Sequence, residues 1–234
     1  LFNAGADDNN RTTLKFNANN IQYFHFDSGG VTDVVTTTAV YRDIGWLHIV
    51  LAVDTTQAVE SNRVIIYVNG ERVTSFSAAN YPTQNTDTDV NATVGHYIGC
   101  SPTGSNDLDA YLAETVLIDG LQLAPTSFGA YDSSGLFWTP LSSDTIKELT
   151  FGTNGFYLAN DQGGAQFDSR YSNPTTYVPN SVNFDGTNDY ADFGNDVITP
   201  SLPCSLNTWV RWNSADGNDG IFASSWDASV AAGI

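Results

Sequence analysis

Along most of the chain, apolar and polar side chains alternate with a period of two. Short runs of β-branched and aromatic residues are separated by Asn, Asp and Gly. Residues 12–16, 21–26 and 31–41 have this texture. From Trp46 to Asp54 nearly every position is apolar, as expected of a central strand covered on both faces. Residues 63–68 and 71–76 flank Asn69-Gly70. Both of those residue types tolerate positive φ, so the pair predicts a two-residue hairpin turn. Residues 78–91 are rich in Asn, Thr and Asp and read as a long surface loop, followed by strands at 92–98 and 110–118. Only two stretches read as helical turns: residues 125–128, opened by Pro125, and residues 142–149, with Asp144 as the candidate N-cap. Many short strands without an amphipathic helix of three turns predict an all-β fold, an antiparallel two-sheet β-sandwich of the jelly-roll kind.

The texture changes near residue 141. Gly152, Gly155, Gly163, Gly164 and Pro174 mark a looser stretch to residue 180, and strand patterns resume at 181–184, 190–193, 206–212 and 220–224. Residues 1–5 and 12–16 are similar to residues 221–225 and 229–234, the mark of an internal repeat. Residues 1–140 are therefore expected to be a sandwich lacking its first strands, and 141–180 a linker and lead-in segment. Residues 181–234 are expected to be the opening strands of a second sandwich, or strands completing the first.

Composition narrows the function. Eight Lys and Arg against 26 Asp and Glu give a net charge of −18, which repels nucleic acid and anionic membrane surfaces. The longest aliphatic run, residues 49–53, falls far short of the roughly 20 residues that a membrane helix needs. Residues 1–10 lack the layout of a signal peptide, and the sequence contains no Met, so it is expected to be a processed product or a window of a longer chain. Cys100 and Cys204 are too few and too far apart for a disulfide framework and are expected to be buried thiols.

Three stretches resemble laminin-G-like domains of the concanavalin type. Gly45-Trp46-Leu47-His48-Ile49-Val50 and Val64-Ile65-Ile66-Tyr67-Val68-Asn69-Gly70-Glu71 resemble the family's paired strands. Tyr111-Leu112-Ala113-Glu114-Thr115-Val116-Leu117-Ile118-Asp119-Gly120 resembles its last strand, with Leu123-Ala124-Pro125 as the turn that follows. Ser181-Val182-Asn183-Phe184-Asp185-Gly186-Thr187-Asn188-Asp189-Tyr190 resembles its first strand and leads to Leu206-Asn207-Thr208-Trp209-Val210-Arg211-Trp212. Within that superfamily, residues 132–140 and 151–158 resemble segments of tailed-bacteriophage fibre and appendage proteins. The resemblance implies a virion structural protein, assembled in the host cytoplasm, whose lectin-like modules form homo-oligomers. Its implied partners are other virion subunits and host-surface glycans, with no nucleic acid and no membrane insertion.

Chemistry-bearing residues are sparse. A retaining glycosidase on such a sandwich needs two carboxyl groups about 5–5.5 Å apart on one strand face. Glu60, Glu71, Glu114 and Glu148 have no acid two or four positions away within a strand, so a non-enzymatic protein is expected, with a glycan hydrolase or a capsid spacer as alternatives. Asp185, Asn188 and Asp189 gather oxygen ligands at a turn and are the calcium candidates; Asp7, Asp8, Asn9 and Asn10 form a similar group. Asp and Asn also favour turns for their own hydrogen bonding, so no cofactor is required. His25, His48 and His96 are scattered, without zinc-ligand spacing, and His48 is expected to be a hydrogen-bonded interior residue. A pyranose offers an apolar face and a hydroxyl rim, so aromatic rings beside polar loops are the carbohydrate-binding candidates: Tyr81, Tyr97, Tyr131 and Trp226. Trp46, Trp209 and Trp212 fall in strand patterns and are expected in the core.

Overall fold

The computed structural model describes residues 2–28, 30–41, 45–103, 108–158, 177–178, 181–185, 191–192 and 203–212. The first half of the chain forms β1 (Phe2–Asp7), β2 (Asn10–Asn17), β3 (Asn20–Asp27), β4 (Gly30–Thr37), β5 (Leu47–Val53), β6 (Val64–Val68), β7 (Glu71–Arg72) and β8 (Phe76–Asn80). Next come β9 (His96–Ile98), β10 (Asp109–Asp119), β11 (Gly129–Tyr131), β12 (Trp138–Pro140) and the single-turn helix α1 (Ser143–Lys147). β13 (Phe156–Leu158), β14 (Tyr177–Val178), β15 (Ser181–Asp185), β16 (Ala191–Asp192) and β17 (Cys204–Trp212) follow.

Two large antiparallel sheets result, in agreement with the expected sandwich, and β11 and β12 pair as a separate two-stranded sheet. One has the order β16-β9-β1-β2-β3-β4-β8, and the other β14-β15-β10-β17-β5-β6-β7, with β13 also paired to β10. The apolar run of β5 lies between β17 and β6 and is buried along nearly its whole length. β17 is the strand that closes β10 onto β5, with Leu206 opposite both Leu51 and Leu117.

Alternation decides which side chains meet between the sheets. Leu14, Phe16, Ile21, Tyr23 and Val35 point inward from the seven-stranded sheet. Ile49, Leu51, Val53, Val64, Ile66, Leu112, Leu117, Leu206 and Val210 meet them from the other. Each such side chain contributes about 1.5–3 kcal/mol when fully buried, so this layer dominates the stability.

The outer face of the β5 sheet carries a second apolar layer. Val50, Val116 and Ile118 pack under Phe128 and Ile146, with Leu141, Leu149, Phe151 and Tyr157 around them. Residues 141–158, expected to begin a linker, thus lie on the sheet, and β13 extends it along β10. Looseness in composition there reflects turns in a strap that is itself packed.

Local chemistry explains most boundaries. Asn69 and Gly70 adopt φ of 49° and 85°, and the hairpin they make joins β6 to β7. Expected strand 71–76 is interrupted: only Glu71–Arg72 pairs with β6, and Phe76–Asn80 crosses to pair with β4 in the other sheet. Strand 92–98 shortens to His96–Ile98, behind a 3-10 turn at Asp89–Asn91. The N-cap of α1 is Ser142, whose Oγ accepts from Thr145 N; Asp144 lies in the first turn instead. β10 contains a bulge between Ala113 and Val116, with Glu114 at φ 51°. The extra residue re-phases the strand, so that Leu112 and Leu117 both face the inter-sheet core. Cys100 and Cys204 are buried free thiols.

Candidate functional site

Among the candidate sugar-binding rings, the structure separates Tyr81, Tyr97 and Tyr131. Tyr81 follows β8 and packs against the inter-sheet core, where burial pushes its phenol pKa up. Tyr131 is exposed on β11, donates its hydroxyl to Glu71 Oε1 at 3.2 Å and stands edge-on to Trp138. Tyr97 lies on β9 between two inward-facing neighbours, His96 and Ile98, and so belongs to the outer face of the seven-stranded sheet. Trp226 lies outside the described residues.

Of the calcium candidates, Asp185 ends β15 opposite Asp109, while Asn188 and Asp189 lie outside the described residues. Asp7, Asp8, Asn9 and Asn10 form the β1–β2 turn. Asp7 Oδ1 accepts from Asn9 N at 2.7 Å and from Asn10 Nδ2 at 3.0 Å, and Asp8 pairs with Arg11. Among the described residues no group of His, Cys, Asp and Glu converges as a metal site.

Strand register assembles a site on the outer face of the seven-stranded sheet. Six consecutive pairings align Asp192, Tyr97, Asn3, Thr13, Phe24, Val34 and Asn80 in one transverse row. Arg11 and Lys15 flank Thr13 on β2, and both cations lie over the Phe24 ring, at 5.3 and 5.1 Å from its centroid. Phe26 adds an edge-to-face contact on Phe24, and Gln22 donates to Thr36 Oγ1 at 2.8 Å. Asn3, Thr13 and Phe24 are buried; Tyr97, Arg11, Lys15, Gln22 and Phe26 rise half-buried around them.

Three polar atoms on this face have no hydrogen-bond partner although they are buried: Asn3 Oδ1, Arg11 Nε and Thr13 Oγ1. Asn3 and Thr13 are direct cross-strand neighbours, and Arg11 is two positions along the same strand face. Buried polar groups are almost always paired, because an orphan costs about 1–3 kcal/mol. Desolvation lowers the pKa of Lys15, and the neighbouring Arg11 charge lowers it further. Burial also lowers that of Arg11, against the pull of Asp8 and Asp7. The face therefore holds buried donors and acceptors, two partly desolvated cations and aromatic edges within a few residues of each other.

On the opposite side of the molecule, a polar relay runs through the strap-covered face. Trp138 Nε1 is a donor only, so His48 Nδ1 accepts from it at 2.7 Å and His48 Nε2 carries the proton donated to Asn207 Oδ1. Asn207 Nδ2 then donates to Glu114 O at 2.7 Å. His48 is fully buried and lies nearly parallel to Trp209 at 4.8 Å. Burial pulls its pKa down to about 4, despite the hydrogen bond to Asn207, so the imidazole is neutral and structural. Tyr157 donates to the Glu114 carboxylate, which holds the bulge against the strap.

A third polar group sits inside one end of the sandwich. His25 Nδ1 lies 2.9 Å from Thr12 Oγ1 and 3.3 Å from Asp89 Oδ2, with Asp33 opposite it in register. This group ties the Asp89–Asn91 turn to β2 and β3.

Sequence reasoning found Tyr97 but missed Asn3, Arg11, Thr13, Lys15 and Phe24. Their available signal was the outward phase of β2 and β3: positions 11, 13 and 15 alternate with the core residues Leu14 and Phe16. Trp209 is buried, but Trp46 is not in the core as expected: it precedes β5 at the rim and is 39 % exposed.

Comparison with known families yields one match. Residues 1–125 match the family model Laminin_G_3, described as the concanavalin A-like lectin/glucanases superfamily. No curated protein and no solved structure matches the chain.

Proposed function

We propose that this chain, which belongs to the concanavalin A-like lectin/glucanase superfamily, is a non-enzymatic glycan-binding module that uses the outer face of its seven-stranded sheet. The observation that carries the reading is the set of three buried, unpartnered polar atoms on β1 and β2, Asn3 Oδ1, Arg11 Nε and Thr13 Oγ1. Sugar hydroxyls both donate and accept, so one ligand class satisfies all three atoms. The long side chains of Arg11 and Lys15 lie over the Phe24 ring, and the Tyr97 and Phe26 rings supply apolar edges for a pyranose.

The residue types on this face support binding over hydrolysis. The residues around the three orphan atoms, Asn3, Arg11, Thr13, Lys15, Gln22, Phe24 and Tyr97, include no carboxyl group, whereas glycoside cleavage requires two working together. The acids of this face are Asp192 at the end of the row and Asp8, paired with Arg11. The larger setting we propose is a phage fibre or capsid appendage in the virion, where identical subunits display such modules toward host glycans. Support for that setting comes from the sequence resemblance of residues 132–140 and 151–158.

Calorimetric titration with a panel of bacterial polysaccharide fragments tests the reading. The expected result is binding that falls at least about tenfold in Tyr97→Ala and Lys15→Ala. Absence of binding across the panel sinks the lectin reading and favours the spacer. Release of new reducing ends favours the hydrolase.

A further inference from the structure

The described arginines divide sharply. Arg11 pairs with Asp8; Arg63 donates to the carbonyls of Gln57, Ala58 and Pro82; Arg72 donates to Ser61 O and Asn62 Oδ1. Arg211 alone among them makes no side-chain hydrogen bond or ion pair. Among the described arginines, a guanidinium with neither an acid nor an amide or carbonyl oxygen as partner is the exception that needs a reason.

Its surroundings supply one. Arg211 stands on β17 opposite Tyr111 of β10, and Val210 is opposite Leu47 of β5, which brings Trp46 alongside. The guanidinium carbon lies 4.5 Å from the Tyr111 ring centroid and 5.8 Å from that of Trp46. Both rings lie beside the guanidinium, whose N–H edge makes no side-chain hydrogen bond. That edge matches a planar carboxylate bidentately. One step along the same strand face, Trp209 Nε1 is a buried donor with no partner. Trp46 remains 39 % exposed beside this edge, an indole surface of the kind on which a sugar ring lies.

We infer that Trp46, Tyr111 and Arg211 form a second binding site, which takes the carboxylate of an acidic saccharide. The carboxylate meets the Arg211 edge, and the apolar face of the pyranose lies against Trp46. This site is on the opposite sheet from Tyr97 and Lys15, so it stands whether or not that face binds glycan.

The test is titration of the full chain with oligogalacturonate, with a neutral galactose oligomer of equal length and with inorganic phosphate, monitored by calorimetry and tryptophan fluorescence. Oligogalacturonate is expected to bind and to quench fluorescence, with the neutral oligomer at least about tenfold weaker. Arg211→Gln is expected to lose that preference, and Arg211→Lys to lose most of it, because an ammonium cannot make the bidentate contact. No binding of oligogalacturonate, equal binding of the neutral oligomer, or affinity insensitive to Arg211→Gln overturns the site. Phosphate binding as tight as the saccharide overturns its assignment to a sugar acid. Trp46→Ala, remote from the inter-sheet core, provides a second variant should Arg211→Gln fold poorly, and is expected to weaken the saccharide while sparing phosphate.

Discussion

Trp138 donates its indole N–H to His48 Nδ1 at 2.7 Å, joining β12 to β5 across 90 residues of chain. The contact explains two glycines. A Cβ at Gly129 would come within 2.6 Å of Trp138 Nε1, and one at Gly70, where φ is +85°, within 2.6 Å of its ring. A large ring is therefore held between two backbone stretches and pinned by a single hydrogen bond. The strap over the β5 sheet has a specific lock.

Trp138→Phe keeps the apolar ring and removes the donor. It leaves His48 Nδ1 buried and unpaired, which costs about 1–3 kcal/mol. Gly129→Ala is expected to cost a similar amount by overpacking. Phenylalanine lacks the atoms that the new methyl would strike, so the double variant is expected to be more stable than the sum of the singles predicts. Urea denaturation of the four proteins measures the coupling; strict additivity would show that Trp138 does not occupy this slot.

The histidines give stability a readable pH profile. Burial lowers the pKa of His48 to about 4, while the unfolded chain has its ordinary value near 6.5. The unfolded state therefore binds more protons between these values, and stability is lost as pH falls from about 6.5 toward 4, by about 3 kcal/mol from this group. His96, also lowered by burial, acts in the same direction. His25 acts oppositely. Burial lowers its pKa, but the hydrogen bond and charge of Asp89, with Asp33 and Asp27, outweigh that and raise it. Its contribution is complete below the unfolded value and fades as pH rises through the folded one. His48→Gln is expected to flatten the acid limb and Asp89→Asn the contribution above pH about 6.5. Urea midpoints at several pH values in each variant check both.

The sandwich was legible in the chain because β5 declares its central place by a continuous apolar run and many other strands declare a buried face by alternation. β2 and β3 show it in Leu14, Phe16, Ile21 and Tyr23, and Asn69-Gly70 announces its turn. Sites were less legible, for a physical reason. Asn3, Thr13, Phe24 and Tyr97 lie in one row because of register, which is set by turns and bulges far from those residues. The bulge at Glu114 and the crossing of Phe76–Asn80 to the other sheet are similar cases: nothing local marks them. Trp46 misled because its neighbours in sequence are core residues while it stands at the strand's open end.

Burial pushes the Cys204 thiol pKa up to about 12, with Asp119 and Asp54 adding to the shift. A thiolate is the reactive form, so native Cys204 is expected to be inert to a disulfide reagent at pH about 8 and to react only as the protein unfolds. The rate of labelling should therefore track the urea unfolding curve. Rapid labelling without denaturant would place the thiol elsewhere.

β17 supplies the sharpest test of how the chain is organised. It is hydrogen-bonded on both edges, from Cys204 beside Val53 and Asp119 to Val210 beside Leu47 and Leu112. Leu206 and Val210 fill the same core as Leu14 and Phe16. Leu206→Ala removes a core side chain from the only sandwich present among the described residues, at a cost of about 2–5 kcal/mol. The whole unfolding transition should then shift as one. Backbone amides of β5, β10 and β17 should exchange hydrogen at a common slow rate, because none opens without the others. Were residues 204–212 instead part of a separate second unit, Leu206→Ala would leave the exchange of β5 and β10 untouched. Hydrogen-exchange mass spectrometry on the wild type and Leu206→Ala separates the two outcomes in a single comparison.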